Sequence, residues 1–243
     1  MINVAVIFAG GSGTRMKSSG LPKQFLELYG KPVIIYTLEQ FERHPMIDFI
    51  VVACIGTHIK YLQSLIERFH LLKVKSIVIG GKSGQESIYN ALSEVNRLVS
   101  NPERTIVLIH DGVRPLIDQE TITKNIKKVI ESGTCITTVP LIETVMFEQS
   151  KRAGWQVPKR ESCLIARAPQ SFYLSEILKA HQKAIADKID TFSDSCSLMH
   201  HYGYKLEVVE GKLENIKITT PTDFFVFKAI LDAKENSRIF GLS

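Results

Sequence analysis

The chain has 243 residues, 44% of them apolar and 23% charged, with 30 basic and 25 acidic side chains and a net charge of +5. That suffices for a sizeable core, and the mild positive balance suits an anionic small molecule without the basic runs of a nucleic-acid arm. The four cysteines are far apart with no C-x-x-C, no basic stretch precedes the apolar start, and the longest apolar run, 49–55, falls far short of the ~20 residues of a membrane span. Zinc and redox motifs, a signal peptide and a membrane segment are therefore not expected. Buried free thiols and a cytoplasmic location are.

The first half alternates strand and helix signals. Asn3–Ala9 is an apolar run rich in Val and Ile, as in a strand buried on both faces. Pro32 suits a first helical turn, and Ile35, Leu38 and Phe41 follow at helical spacing. Asp48–Ile55, Lys75–Ile79, Arg104–Ile109 and Cys135–Val139 read as further buried strands, separated by apolar helical stripes at Ile59–Phe69, Ile88–Leu98 and Ile122–Ile130. Such alternation predicts an α/β fold: a Rossmann-like three-layer sandwich of mostly parallel strands. Ligands of such sheets bind beyond the carboxyl ends of the strands.

Between Pro140 and Gln170 the rhythm breaks, and a patterned excursion such as an extended β-arm is expected. Helical spacing resumes at Leu174, Ile177, Leu178 and His181. Ser193 or Asp194 can cap a short helix running to about Tyr202. Lys205–Val209 and Asn215–Ile218 read as strands, and Thr220-Pro221-Thr222-Asp223 opens a last helix. One domain over 1–243 is expected, with 140–170 as its arm.

The polar residues with chemical content follow the strands. Gly10-Gly11-Ser12-Gly13 closes the first strand, a turn that lets backbone N–H groups approach phosphate. G-x-G-x-x-G fails because Met16 stands at its last position, and G-x-x-x-x-G-K-[ST] is absent. Arg15 and Lys23 add two cations, one able to fork onto phosphate oxygens and one a point charge. Each alone reads more readily as a solvated surface charge; together, beside a glycine turn, they favour phosphate contact.

His110-Asp111-Gly112-Val113-Arg114-Pro115 ends the fourth strand. Asp111 can cap a turn or, beside a triphosphate, hold Mg²⁺, which takes few carboxylates and many phosphate oxygens. Arg114 can grip a second substrate's phosphate. His110 reads as an orienting or packed residue, because phosphoryl transfer needs positioning more than proton removal. Lys217 is either a snorkelling strand lysine or a phosphate contact. Gly80–Ser87 is a helix-capping loop or a base-recognition loop.

In their shared order these motifs resemble the cytidylyltransferases that activate polyol phosphates, over nearly the whole chain. Those enzymes act on methylerythritol 4-phosphate or ribitol 5-phosphate. The motifs are Ala9–Met16, Pro22-Lys23-Gln24, Gly80–Ser87, His110–Pro115, Ala168-Pro169-Gln170, Ser193-Asp194 and Asn215–Thr219. The resemblance implies a nucleotidyltransferase-type fold and transfer of CMP from CTP to a polyol phosphate. Ala9, Gly10, Gly11 and Gly13 would line the nucleotide, with Gly81, Lys82 and Ser87 at cytosine. Arg15, Lys23 and Lys217 would be catalytic, holding the triphosphate. Asp111 would face nucleotide and Mg²⁺, while Arg114, Ser193 and Asp194 would face the polyol phosphate. Arg160 would reach from the arm into the partner's site in a homodimer. No nucleic-acid or membrane partner is implied.

Three departures stand out against relatives: Ala168 where Thr is common, Ser193 for Thr, and Gly84 where Arg is often found. Val113 and Phe25 lean toward the ribitol-phosphate branch. CDP-pentitol synthesis for teichoic-acid or capsule precursors is thus the implied function, with the methylerythritol reaction of isoprenoid synthesis as the alternative.

Overall fold

The computed structural model describes residues 1–10, 21–150 and 154–239. The elements, in chain order, are β1 (Ile2–Ala9), β2 (Glu27–Leu28), β3 (Lys31–Pro32), α1 (Val33–Glu42), β4 (Phe49–Cys54), α2 (Ile59–Arg68), β5 (Val74–Ile79) and α3 (Gly84–Leu98). There follow β6 (Thr105–Asp111), α4 (Gln119–Ser132), β7 (Thr134–Pro140), β8 (Phe147–Ser150), β9 (Gly154–Gln156) and β10 (Leu164–Tyr173). The chain continues through α5 (Leu174–Ala186), α6 (Ser195–His201), β11 (Val208–Glu210) and α7 (Pro221–Ile239).

Seven strands form the central sheet in the order β11-β7-β10-β6-β1-β4-β5. β1 lies at its heart, parallel to β4 and β6. Its residues alternate between two cores, as period-2 geometry demands. Ala5, Ile7 and Ala9 pack with Ile34, Leu38 and Ile126 on one face. Val4 and Val6 pack with Leu92, Val95 and Ile177 on the other. Helices therefore cover both faces, as the continuous apolar run predicted. Caps hold the helix starts: Ser83 accepts from Glu86 N for α3, Asp118 from Thr121 N for α4, and Asp194 from Ser197 N for α6.

Two expectations need correction. Asn215–Ile218 is not a strand. Its alternating apolar pattern is real, but its backbone groups bond elsewhere: the Asn215 carbonyl accepts from two arginines, and Ile218 N donates to Val113 O at 2.9 Å. Lys205–Val209 shortens to Val208–Glu210 beside β7.

Within 140–170, β8 and β9 form a separate antiparallel pair. The last part belongs to β10, which runs antiparallel to both β6 and β7 in the central sheet. Its pairing with β7 shifts between Ala166 and Gln170. This irregularity takes Arg167 and Ala168 out of the ladder and turns them toward the carboxyl end of β6, a use to which bulges near sites are often put. Of the four thiols, Cys54 and Cys135 are buried as expected, while Cys163 and Cys196 are partly exposed. Among the described residues no helix is long and apolar enough to cross a membrane.

Candidate active site

β6 is buried throughout and ends in Asp111, so it delivers a carboxylate to the sheet edge on a rigid element. Asp111 Oδ2 accepts from Arg114 Nε at 2.7 Å, and Oδ1 lies 2.6 Å from Lys217 Nζ. Burial alone would raise the Asp111 pKa, but Arg114 and Lys217 outweigh it and bring it down to about 2. The carboxylate is therefore ionised at neutral pH and fixes two cations. Arg114 is held again by its Nη1, which donates to Asn215 O at 2.9 Å. Lys217 also lies over the Phe8 ring, 5.8 Å from its centroid.

These groups open onto a cleft of about 140 Å³. Phe8 and Ile88 form its apolar wall; Ala168, Arg167, Ser193 and Asp194 complete its rim. Gln170, buried in β10, ties the rim together: its Nε2 donates to Asp194 Oδ2 and its Oε1 accepts from Cys196 N. Asn215 plays a similar part, donating from Nδ2 to Ala168 O at 2.8 Å. The cleft thus gathers three cations and two carboxylates around a mostly preformed frame, suited to an anionic substrate bearing polar groups.

Beside it, the glycines that follow β1 and β5 approach closely. A Cβ on Gly80 would sit 3.1 Å from Gly10 Cα, and one on Gly10 would sit 2.7 Å from Ser87 Oγ. Any side chain at Gly10 would force the Ser87 hydroxyl to move. A sequence model of the 2-C-methyl-D-erythritol 4-phosphate cytidylyltransferase family, IspD, matches residues 3–233.

The chain belongs to the IspD family.

Its members are nucleotidyltransferases, so this IspD-family chain is one too. It is 52% identical over 240 residues to a ribitol-5-phosphate cytidylyltransferase of Vibrio parahaemolyticus, covering 99% of this chain and 100% of that one. It is 35% identical over 230 residues to a 2-C-methyl-D-erythritol 4-phosphate cytidylyltransferase of Clostridium botulinum, covering 95% and 97%. The crystal structure of a 4-diphosphocytidyl-2C-methyl-D-erythritol synthase from Anaerococcus prevotii matches with a TM-score of 0.79 at 26% identity, covering 95% and 96%. The expected nucleotidyltransferase fold is thereby met.

Of the site residues expected from sequence, Asp111, Arg114, Lys217, Ser193 and Asp194 meet at one cleft. Ala9 and Gly10 end β1 beside it. Gly81 and Ser87 belong to the neighbouring loop, where Ser87 Oγ accepts from Gly81 N at 2.9 Å and donates to Ser83 O at 2.8 Å. Ser87 thereby shapes the loop, and Lys82 projects from it, exposed. Lys23 sits in a short turn after the glycine segment, partly buried. Neither it, Lys82 nor Arg160 lines the cleft. Gly11, Gly13 and Arg15 lie outside the described residues.

Arg167, Gln170, Asn215 and Gln24 were not singled out by sequence reasoning. Gln24 donates from Nε2 to Ala9 O at 2.8 Å and ties the Lys23 turn to the end of β1. A clue was available: Gln24, Gln170 and Asn215 each sit in a recognisable motif, and an amide buried within a motif must find partners.

His110 is fully buried, with Nε2 bonded to Arg114 O at 3.1 Å and its ring 5.1 Å from that of Phe41. Burial lowers its pKa to about 4, so it is neutral and buttresses the Arg114 backbone. His181, also buried, is lowered to about 4 for the same reason. In the unfolded chain both imidazoles take up protons near pH 6.5, but in the fold only near 4. The unfolded state then binds more protons in that window, so stability falls as pH drops from 6.5 toward 4. We expect the melting temperature to decline across pH 6.5–4.5, above the range where most carboxylates titrate. A flat profile there would contradict neutral burial of these histidines.

Proposed function

We propose that this chain transfers CMP from CTP to ribitol 5-phosphate, releasing pyrophosphate and CDP-ribitol. The observation that carries the reaction type is the buried Asp111 carboxylate clasping Arg114 and Lys217 at the mouth of the cleft. The polyol assignment draws on the higher identity to relatives named for ribitol 5-phosphate than to those named for methylerythritol phosphate. CDP-ribitol would serve as a precursor for teichoic-acid or capsule assembly.

In this reading a phosphate oxygen of the polyol phosphate attacks the α-phosphorus of CTP in line. The new O–P bond forms as the bond from the α-phosphorus to the bridging oxygen breaks, and pyrophosphate leaves with the electron pair. A phosphomonoester has a second pKa of about 6, so it is largely dianionic at neutral pH and needs no general base. This agrees with the neutral, internally bonded His110. Catalysis then rests on orientation and on cations placed where charge develops. Lys217 and Lys23 hold the triphosphate, Arg114 the acceptor phosphate, and Ser193 with Asp194 the polyol hydroxyls. Gly81, Lys82 and Ser87 frame the cytosine.

The donor set fits a divalent metal that keeps most ligands on the nucleotide. Among the described residues no three His, Cys, Asp or Glu side chains gather, and Asp111 is the carboxylate nearest the cations. Mg²⁺ is at home with one carboxylate, phosphate oxygens and water. When bound it would neutralise charge on the triphosphate, with Asp111 as its protein ligand.

The arm suggests a homodimer. Trp155 is 65% exposed and Met146 55%, with Ile142, Val157 and Leu164 also open to solvent, an apolar surface of the kind that marks an interface. Arg160 is exposed, away from its own cleft, which favours the reading that it serves the partner's. Arg160→Ala is then expected to raise the KM for the polyol phosphate by ~10-fold or more, the scale of a lost charged hydrogen bond, and to leave the KM for CTP nearly unchanged. Equal effects on both, or none, would contradict that role.

A panel of acceptors assayed for pyrophosphate release with CTP tests the assignment. The expected order is ribitol 5-phosphate well ahead of 2-C-methylerythritol 4-phosphate in kcat/KM. The reverse order would move the chain to the isoprenoid reaction.

A further inference from the structure

Arg167 stands beside Arg114 on the rim of the cleft, and among the described residues it forms no ion pair. Its Nη1 donates to two backbone carbonyls, Leu213 O at 2.7 Å and Asn215 O at 3.0 Å. Arg114 Nη1 donates to that same Asn215 oxygen at 2.9 Å, so the two guanidinium groups lie side by side. The carboxylates nearby are engaged elsewhere. Asp111 has Arg114 on one oxygen and Lys217 on the other. Asp194 accepts from Gln170 Nε2 and from Ser197 N. Burial first, and then the neighbouring Arg114, lower the Arg167 pKa, while Glu214 opposes this without pairing with it.

Two adjacent guanidinium groups repel each other unless an anion joins them. Among the described residues neither Nε nor Nη2 of Arg167 has a hydrogen-bond partner, and a guanidinium edge matches two phosphate oxygens. The next residue, Ala168, lines the same cleft with a single methyl and leaves room there. The irregularity in β10 between Ala166 and Gln170 is what turns both residues to the cleft.

We propose that Arg167 is a second phosphate anchor, pairing with Arg114 to clamp the phosphomonoester of the acceptor polyol. This rests on the polyol-phosphate reading above and adds a residue to it. The clamp selects for a doubly charged phosphomonoester, and the unphosphorylated polyol cannot replace that charge.

A merely structural Arg167, tying the 213–215 loop to β10, makes a different prediction, so two variants of the full chain separate the roles. Arg167→Gln is expected to raise the KM for ribitol 5-phosphate ~10-fold or more, with the KM for CTP changed less than about twofold. Inorganic phosphate, used as a competitive inhibitor against the acceptor, is expected to bind more weakly by a similar factor. Arg167→Lys, which keeps the charge but not the fork, is expected to fall between the two. Unchanged acceptor KM and phosphate inhibition would overturn the clamp. So would parallel rises in both KM values together with a lower melting temperature. Should the wild type not use ribitol 5-phosphate, direct binding of inorganic phosphate by calorimetry still decides: weaker binding to Arg167→Gln supports the clamp while the acceptor assignment fails, and equal binding overturns the clamp. If Arg167→Gln does not fold, Arg167→Lys carries the same readouts.

Discussion

Lys217→Ala is expected to lower kcat by ~100-fold or more, the scale of losing one preorganised charge contact to a transition state. The structure explains why this lysine is so well placed. Asn215 N bonds Lys212 O, Ile218 N bonds Val113 O, and the Ile218 side chain is fully buried, so the backbone on both sides of Lys217 is fixed. Asp111 then aims the ammonium across the cleft mouth. Removal leaves Asp111 still paired with Arg114, so the fold should survive. A loss confined to kcat, with a near-normal melting temperature, is the expected pattern. Lys217→Arg keeps the charge but replaces a compact ammonium with a planar fork, and should recover only part of the rate. Near-wild-type turnover in Lys217→Ala would remove it from the machinery.

Lys23→Ala is expected to fall as far, ~100-fold or more in kcat, through the other end of the triphosphate. Lys23 is flanked by two anchors: Gln24, whose amide bonds Ala9 O, and Phe25, whose fully buried ring stacks 5.2 Å from that of His58. These fix the turn to the end of β1 and to the start of α2. If Lys23 faces the leaving group, product inhibition by pyrophosphate should weaken in Lys23→Ala, whereas inhibition by inorganic phosphate against the acceptor should not. An unchanged pyrophosphate inhibition constant would separate Lys23 from the triphosphate.

Much of the scaffold was legible because local pattern and tertiary environment agree. β1 and β6 are continuous apolar runs and are buried on both faces, and the cap at Asp194 is where side-chain chemistry puts it. The grouping of Asp111, Arg114 and Lys217 followed from the rule that ligands meet the carboxyl ends of strands, together with the family resemblance.

What escaped depends on non-local pairing. β10 contains Arg167 and Pro169, which argue against a central strand, yet it lies between β6 and β7 because its irregular stretch falls at the cleft rather than in the ladder. Arg167 could not be aimed without that irregularity, nor could Asn215 be seen as its acceptor. Asn215–Ile218 alternates like a strand, but the arginines and Val113 take its hydrogen bonds instead. Periodicity reports which side chains are buried and is silent on where the backbone groups go.

The most direct test is a phosphorus NMR time course of the purified chain with CTP, Mg²⁺ and ribitol 5-phosphate. The account predicts that the triphosphate signals decay while pyrophosphate and a coupled pair of diphosphate-diester resonances, those of CDP-ribitol, grow in equal amounts. Persistent CTP would contradict it, as would CTP cleaved to CMP and pyrophosphate without the diester.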